Sequence, residues 1–147
     1  MNPRYAQHVL DLAAAFKVTV HISPNLRPEQ AGANPRIRAI AISPIVDETT
    51  YAVALHEMGH LVNPLGCRSL ENRDLPAVTV LSEEHAAWEW AQHVALEWTG
   101  PMEAVRVWAV GTYERRVQHE LVPKPPQPAA VRYSVGSVAV FAAKIRR

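Results

Sequence analysis

The residues best equipped for chemistry stand together at His56-Glu57-Met58-Gly59-His60. On a helix, two histidines four positions apart lie one above the other on the same face. Both imidazoles can then reach one Zn²⁺ at about 2.0–2.1 Å. The glutamate after the first histidine points beside the metal, where it can accept a proton from a bound water. That is the chemistry of a metallopeptidase, with His56 and His60 as metal ligands and Glu57 as general base. Gly59 leaves the helix bare at one point and permits close approach of another backbone. Tyr51, Ala52, Val53 and Leu55 make the rest of this segment apolar. Polar groups buried in such a helix need partners. A metal ion supplies them, whereas a helix with two unrelated histidines and a solvated glutamate leaves the conflict standing.

A catalytic zinc takes three protein ligands and keeps one position open. The metzincin arrangement would put a histidine six residues past the second one, but Gly66 stands there. Cys67, Glu71, Asp74, Glu83, Glu84, His85 and His93 are the remaining donors downstream. Winding residues 82–98 at about 100° each gathers Ala87, Trp90, Ala91, Val94 and Trp98 on one arc, with Trp88 and Ala95 at its edge. His85, Glu89, Gln92 and His93 fall on the opposite side and read as solvated surface. Glu84 lies about 40° from the centre of the apolar arc and Glu83 about 60° on its other side, so either carboxylate could face the metal. Cys67 is a ligand by residue type, although a lone loop cysteine is more often a passive small side chain.

The elements that must position these groups follow from periodicity and punctuation. Residues 4–16 read as an amphipathic helix, with Tyr5, Val9, Leu12 and Phe16 at helical spacing. Residues 17–23 and 36–43 read as strands, separated by a loop rich in proline, glycine and asparagine over 24–35. Asp47 or Thr49 can cap the helix that carries the histidines, and Asn63-Pro64 ends it near Val62. Residues 63–80 read as loop, closing on a short apolar piece over 77–81. Ser82 caps a long helix to Thr99-Gly100, and Pro101 opens another that reaches about Leu121. Residues 122–128 hold four prolines and separate a zincin-like domain, 1–121, from a tail, 129–147, with a strand-like run over 131–141. The expected architecture is α+β, a small antiparallel sheet packed on the histidine-bearing helix and on further helices. The exposed edge of strand 36–43 is expected to hold an extended substrate by strand addition.

Composition narrows the function classes. At 147 residues, 48% hydrophobic and 20% charged, the chain has the profile of one globular domain. A formal net charge of +1 gives no basis for electrostatic capture of nucleic acid. Cys67 is the single cysteine, so an intrachain disulfide and a cysteine-rich zinc knuckle are both excluded. No apolar run approaches the ~20 residues that cross a bilayer, and Asp11 and Lys17 interrupt any secretory pattern. A cytoplasmic protein without direct nucleic-acid or membrane contacts is expected.

Beyond these readings, the sequence resembles the ImmA/IrrE family of zinc peptidases. The His56–His60 segment is like the HELGH form common there, and a strand ending in Pro44 precedes it. Glu84-His85-Ala86-Ala87-Trp88-Glu89-Trp90-Ala91 is similar to that family's E-x-x-A-N-x-F-A segment. The likeness covers roughly residues 5–98, and Trp88 departs from it, standing where asparagine or aspartate is usual. The resemblance implies a gluzincin-like set with Glu84 as third zinc ligand beside His56 and His60. It also implies a bacterial or phage-encoded endopeptidase whose substrate is a regulatory protein such as a DNA-binding repressor. Tyr51, Tyr113, Arg115 and His119 are candidate oxyanion stabilisers by residue type alone. Two competing readings are a zinc-binding interaction module of a phage or toxin–antitoxin system with little or no proteolysis, and a structural domain whose tryptophans and histidines are simply core and surface.

Overall fold

A computed structural model describes residues 2–63 and 74–122. Helix α1 (Pro3–Phe16) starts where the Asn2 side chain accepts from the backbone N–H groups of Arg4 and Tyr5, and it ends at Lys17 in the left-handed conformation. Strand β1 (Thr19–Ile22) follows, then a single 3₁₀ turn at Pro28–Gln30, strand β2 (Gly32–Asn34) and strand β3 (Ala39–Ile42). Three long helices complete the described chain: α2 (Glu48–Val62), α3 (Ala77–Val94) and α4 (Gly100–Leu121). This is α+β, as the sequence indicates.

The sheet is mixed, in the order β1-β3-β2, and this corrects the antiparallel sheet expected from sequence. β1 pairs with β3 in parallel, Val20 beside Ile40, while β2 pairs with β3 antiparallel, Ala33 beside Ile40. A parallel pair needs a crossover of a dozen or more residues, and the segment between β1 and β3 is long enough to supply one. The chain leaves β1, crosses to the far edge, returns as β2 and turns into the central position. β3 is therefore no edge strand, which also corrects the docking edge assigned to residues 36–43. The edges belong to β1 and β2.

Arg38 fixes that turn in place. It stands at φ 51° in the left-handed region, and its guanidinium donates to the Phe16 carbonyl at 2.9 and 3.2 Å and to the Leu61 carbonyl at 3.3 Å. Those carbonyls lie at the C-terminal ends of α1 and α2, where unsatisfied C=O groups attract a cation.

Helix α2 runs through the middle of the molecule. Asp47 is its N-cap, accepting from the Thr50 N–H at 2.8 Å, while the Thr50 hydroxyl accepts from the Val46 and Asp47 N–H groups. Tyr51, Ala52, Ala54, Leu55 and Met58 have no exposed surface at all. Tyr51 stacks on Tyr5 with ring centroids 4.3 Å apart, which joins α1 to α2. Helix α3 starts five residues before Ser82 and ends at Val94, five short of Thr99, both departures from the expected bounds. Pro76 offers no side-chain cap. The Ala77 N–H instead donates to the Glu120 carboxylate of α4 at 2.9 Å. The buried face of α3 is centred on Glu84, Ala87, Trp88 and Ala91, rotated toward Trp88 from the arc read off the sequence. No helix among the described residues is long and apolar enough to cross a membrane. The strand-like run over 131–141 and all but the first residue of the proline-rich segment lie outside the described residues.

Candidate metal centre

Helices α2 and α3 cross at Gly59. A Cβ built on this residue would lie 2.6 Å from the Ala87 carbonyl oxygen and 3.0 Å from the Ala87 Cα. Only glycine allows the two backbones this close, as the sequence suggested. His60 immediately follows Gly59, and Glu84 lies one turn before Ala87. The crossing therefore sets the distance between the histidines of one helix and the carboxylate of the other.

His56, His60 and Glu84 converge as one buried group. The two Nε2 atoms are 3.1 Å apart. Glu84 Oε2 lies 3.2 Å from His56 Nε2, and Glu84 Oε1 lies 3.4 Å from His60 Nε2. A tetrahedral site with bonds of about 2.0–2.1 Å has edges of about 3.3–3.4 Å. The spacing and the donor set both fit a divalent metal held by two imidazoles and one carboxylate. Glu57 flanks the group without joining it, its Oε1 at 3.9 Å from His56 Nε2. Glu83 is as buried as Glu84 but belongs to no such group among the described residues. Of the other donors considered, His85, His93 and Asp74 are not part of it either, and Cys67 and Glu71 lie outside the described residues.

No protein family, no curated protein and no solved structure matches the chain. The geometry of the site carries the reading.

Electrostatics separates the two carboxylates. Burial raises the Glu57 carboxyl above its ordinary range, and the nearby His56 and His60 only partly oppose it. Burial acts on Glu84 too, but its hydrogen bonds to His56 and His60 and their charges outweigh it and hold the carboxyl at about 2. Burial thus favours the protonated form of Glu57, while Glu84 stays ionised.

The group opens on a cleft of about 620 Å³, walled by α2, α3, α4 and the segment from Pro28 to Ala31. Of the four candidate oxyanion stabilisers, only Tyr113 reaches this cleft. Burial first, then the charge of Glu84 and a hydrogen bond to it, push the Tyr113 hydroxyl well above its ordinary range, so it remains a donor. Tyr51 lies in the core, its hydroxyl 2.7 Å from His8 Nδ1 and accepting from the Leu96 N–H at 3.0 Å. Arg115 and His119 are exposed on α4.

Sequence reading missed two features. The Trp88 ring stacks on His56 with centroids 4.2 Å apart and planes 18° apart, covering one side of an imidazole whose Nδ1 is buried without a hydrogen-bond partner. Its position four residues after Glu84 is the signal that could have found it. The wall contributed by Pro28, Glu29 and Ala31 had no signal, because it comes from a loop.

Proposed function

We propose that this chain is a zinc-dependent endopeptidase that hydrolyses a peptide bond in a protein substrate, in the manner of the ImmA/IrrE family that it resembles. The observation that carries this reading is the buried His56–His60–Glu84 group, spaced as tetrahedral ligands, with Glu57 beside it at the floor of an open cleft. Zn²⁺ held there would supply Lewis acidity toward a water and a carbonyl oxygen.

The chain's own residues do the rest. Glu57 takes a proton from the attacking water and returns it to the departing amine, base first and acid second. Glu84 would serve as the third ligand beside the two imidazoles, with Trp88 stacked on the plane of His56. The Tyr113 hydroxyl, in the same cleft, would exchange its hydrogen bond to Glu84 for one to an oxyanion. An extended substrate would lie along β2, which follows directly on the cleft wall at Ala31, and would add a strand to that edge. A regulatory protein such as a repressor, with an accessible extended segment, suits this arrangement.

The test is metal content together with a single substitution. Purified protein should hold close to one zinc per chain, and His56→Ala should lose it. Glu57→Gln should keep the zinc and lose hydrolysis by about 10²–10⁴-fold. Wild-type protein expressed with ample zinc yet carrying no divalent metal would overturn the proposal.

A further inference from the structure

Helix α4 lies beyond the stretch that carries the family likeness, yet it forms one wall of the cleft. Val105, Trp108, Ala109, Thr112 and Tyr113 all line it. Their spacing of three and four residues places them on one helical face. Trp108 is 61% exposed, against 2% for Trp88. The core therefore does not use most of the Trp108 surface, and an aromatic side chain lining a concave site offers apolar area to a ligand.

We propose that Trp108 walls a subsite that selects a large apolar or aromatic side chain adjacent to the scissile peptide bond. This inference rests on the peptidase reading and adds the class of substrate side chain. Trp108 precedes Tyr113 by five residues, so at ~1.5 Å per residue it stands about 7–8 Å along α4 from the hydroxyl-bearing residue beside Glu84. An extended peptide rises about 3.3 Å per residue. From a carbonyl at the metal centre, an aromatic side chain on the flanking residue would extend further along the cleft toward Trp108 than an alanine side chain. Val53, one turn before Glu57 on α2, adds apolar surface to the same cleft. Glu29 also lines the cleft, where it pairs with Arg27 at 3.1 Å.

The test uses the zinc-loaded full chain and two peptide hydroxamates that differ only in carrying a phenylalanine or an alanine side chain next to the chelating group. Calorimetry should show the phenylalanine compound binding at least about tenfold more tightly. Trp108→Ala should abolish that ratio while zinc content stays unchanged, and Trp108→Phe should retain most of it. Equal binding of both compounds to the wild type, or a ratio that survives Trp108→Ala, overturns the subsite and leaves the metallopeptidase reading intact. Failure of both compounds to bind zinc-loaded protein overturns the two together. A Trp108→Ala protein that changes its oligomeric state but keeps the ratio assigns this face to contact between copies of the chain, and the subsite falls.

Discussion

Replacing Gly59 by alanine should damage the proposed metal centre without altering His56, His60 or Glu84. The new Cβ would lie 2.6 Å from the Ala87 carbonyl oxygen, whereas ordinary contact begins at 3.4 Å, so α3 must retreat by roughly 0.8 Å at that point. The obstacle is backbone, which cannot rotate away. Glu84 sits one turn up the same helix and moves with it. Its contacts of 3.2 and 3.4 Å to the two imidazoles would stretch toward about 4 Å, past the edge length of a tetrahedral zinc site. Alanine in a helix interior gains up to about 1 kcal/mol over glycine, while overpacking a tight contact costs about 1–3 kcal/mol. Packing therefore wins, by up to about 2 kcal/mol. Gly111 in α4 is the internal control, because its nearest neighbour is the flexible Arg115 guanidinium at 3.5 Å. Gly111→Ala should raise stability by about 0.5–1 kcal/mol and leave zinc affinity alone. Thermal melts of the metal-free proteins and competition with a chromophoric chelator read the two quantities. Equal behaviour of the two variants in both assays would refute the claim that the helix crossing sets the ligand geometry.

Three further outcomes are expected. Glu84→Ala should weaken zinc binding far more than Glu83→Ala, measured by the same competition; the reverse order would remove Glu84 from the ligand set. Glu120→Ala deletes the group that accepts from the Ala77 N–H, and unfolding in urea should show a loss of about 1 kcal/mol, as for removal of a helix cap. The hydrogen bond that Tyr5 donates to Glu97 at 2.8 Å, and burial after it, push the Tyr5 hydroxyl from 10.0 up to about 12. A raised value in the folded state gives stability that is fully present below pH 10 and lost as pH rises toward 12. The melting-temperature gap between wild type and Tyr5→Phe should accordingly narrow across that window, and a constant gap would contradict it.

The buried His56–His60–Glu84 group was legible in large part because its signals are local. Two histidines at helical spacing, an apolar helix around them, Asp47 at its start and a glycine where another backbone must pass can all be read within residues 47–62. Glu84 could be narrowed to one of two neighbouring glutamates by helical phase, and the family likeness chose between them. The sheet was less legible. Both long strands carry the same β-branched pattern, and nothing in them says whether the chain crosses over between them or doubles back. β2 is Gly32-Ala33-Asn34, residues with little strand preference that pair only because the crossover delivers them to β3. The start of α3 misled for a related reason. Ser82 has the chemistry of a cap, but the helix begins at Ala77 on a carboxylate from α4, a tertiary contact that no window of sequence contains. Trp88 and Trp108 show the same limit from opposite sides, one taken as peripheral and found stacked on His56, the other left unassigned and found bare in the cleft.

Arg38 narrows what evolution can place at its own position. Glycine would relieve the left-handed backbone, which costs a non-glycine residue roughly 1–3 kcal/mol, but would leave the terminal carbonyls of two helices without their donor. Lysine would keep the charge, yet a single ammonium lacks the planar fork that serves two separate carbonyls at once. The replacement most favourable to the backbone and the one most similar in charge are both blocked, for unrelated reasons. A saturation library at this codon should therefore have a narrow spectrum, with arginine retained although its conformation is the less comfortable one.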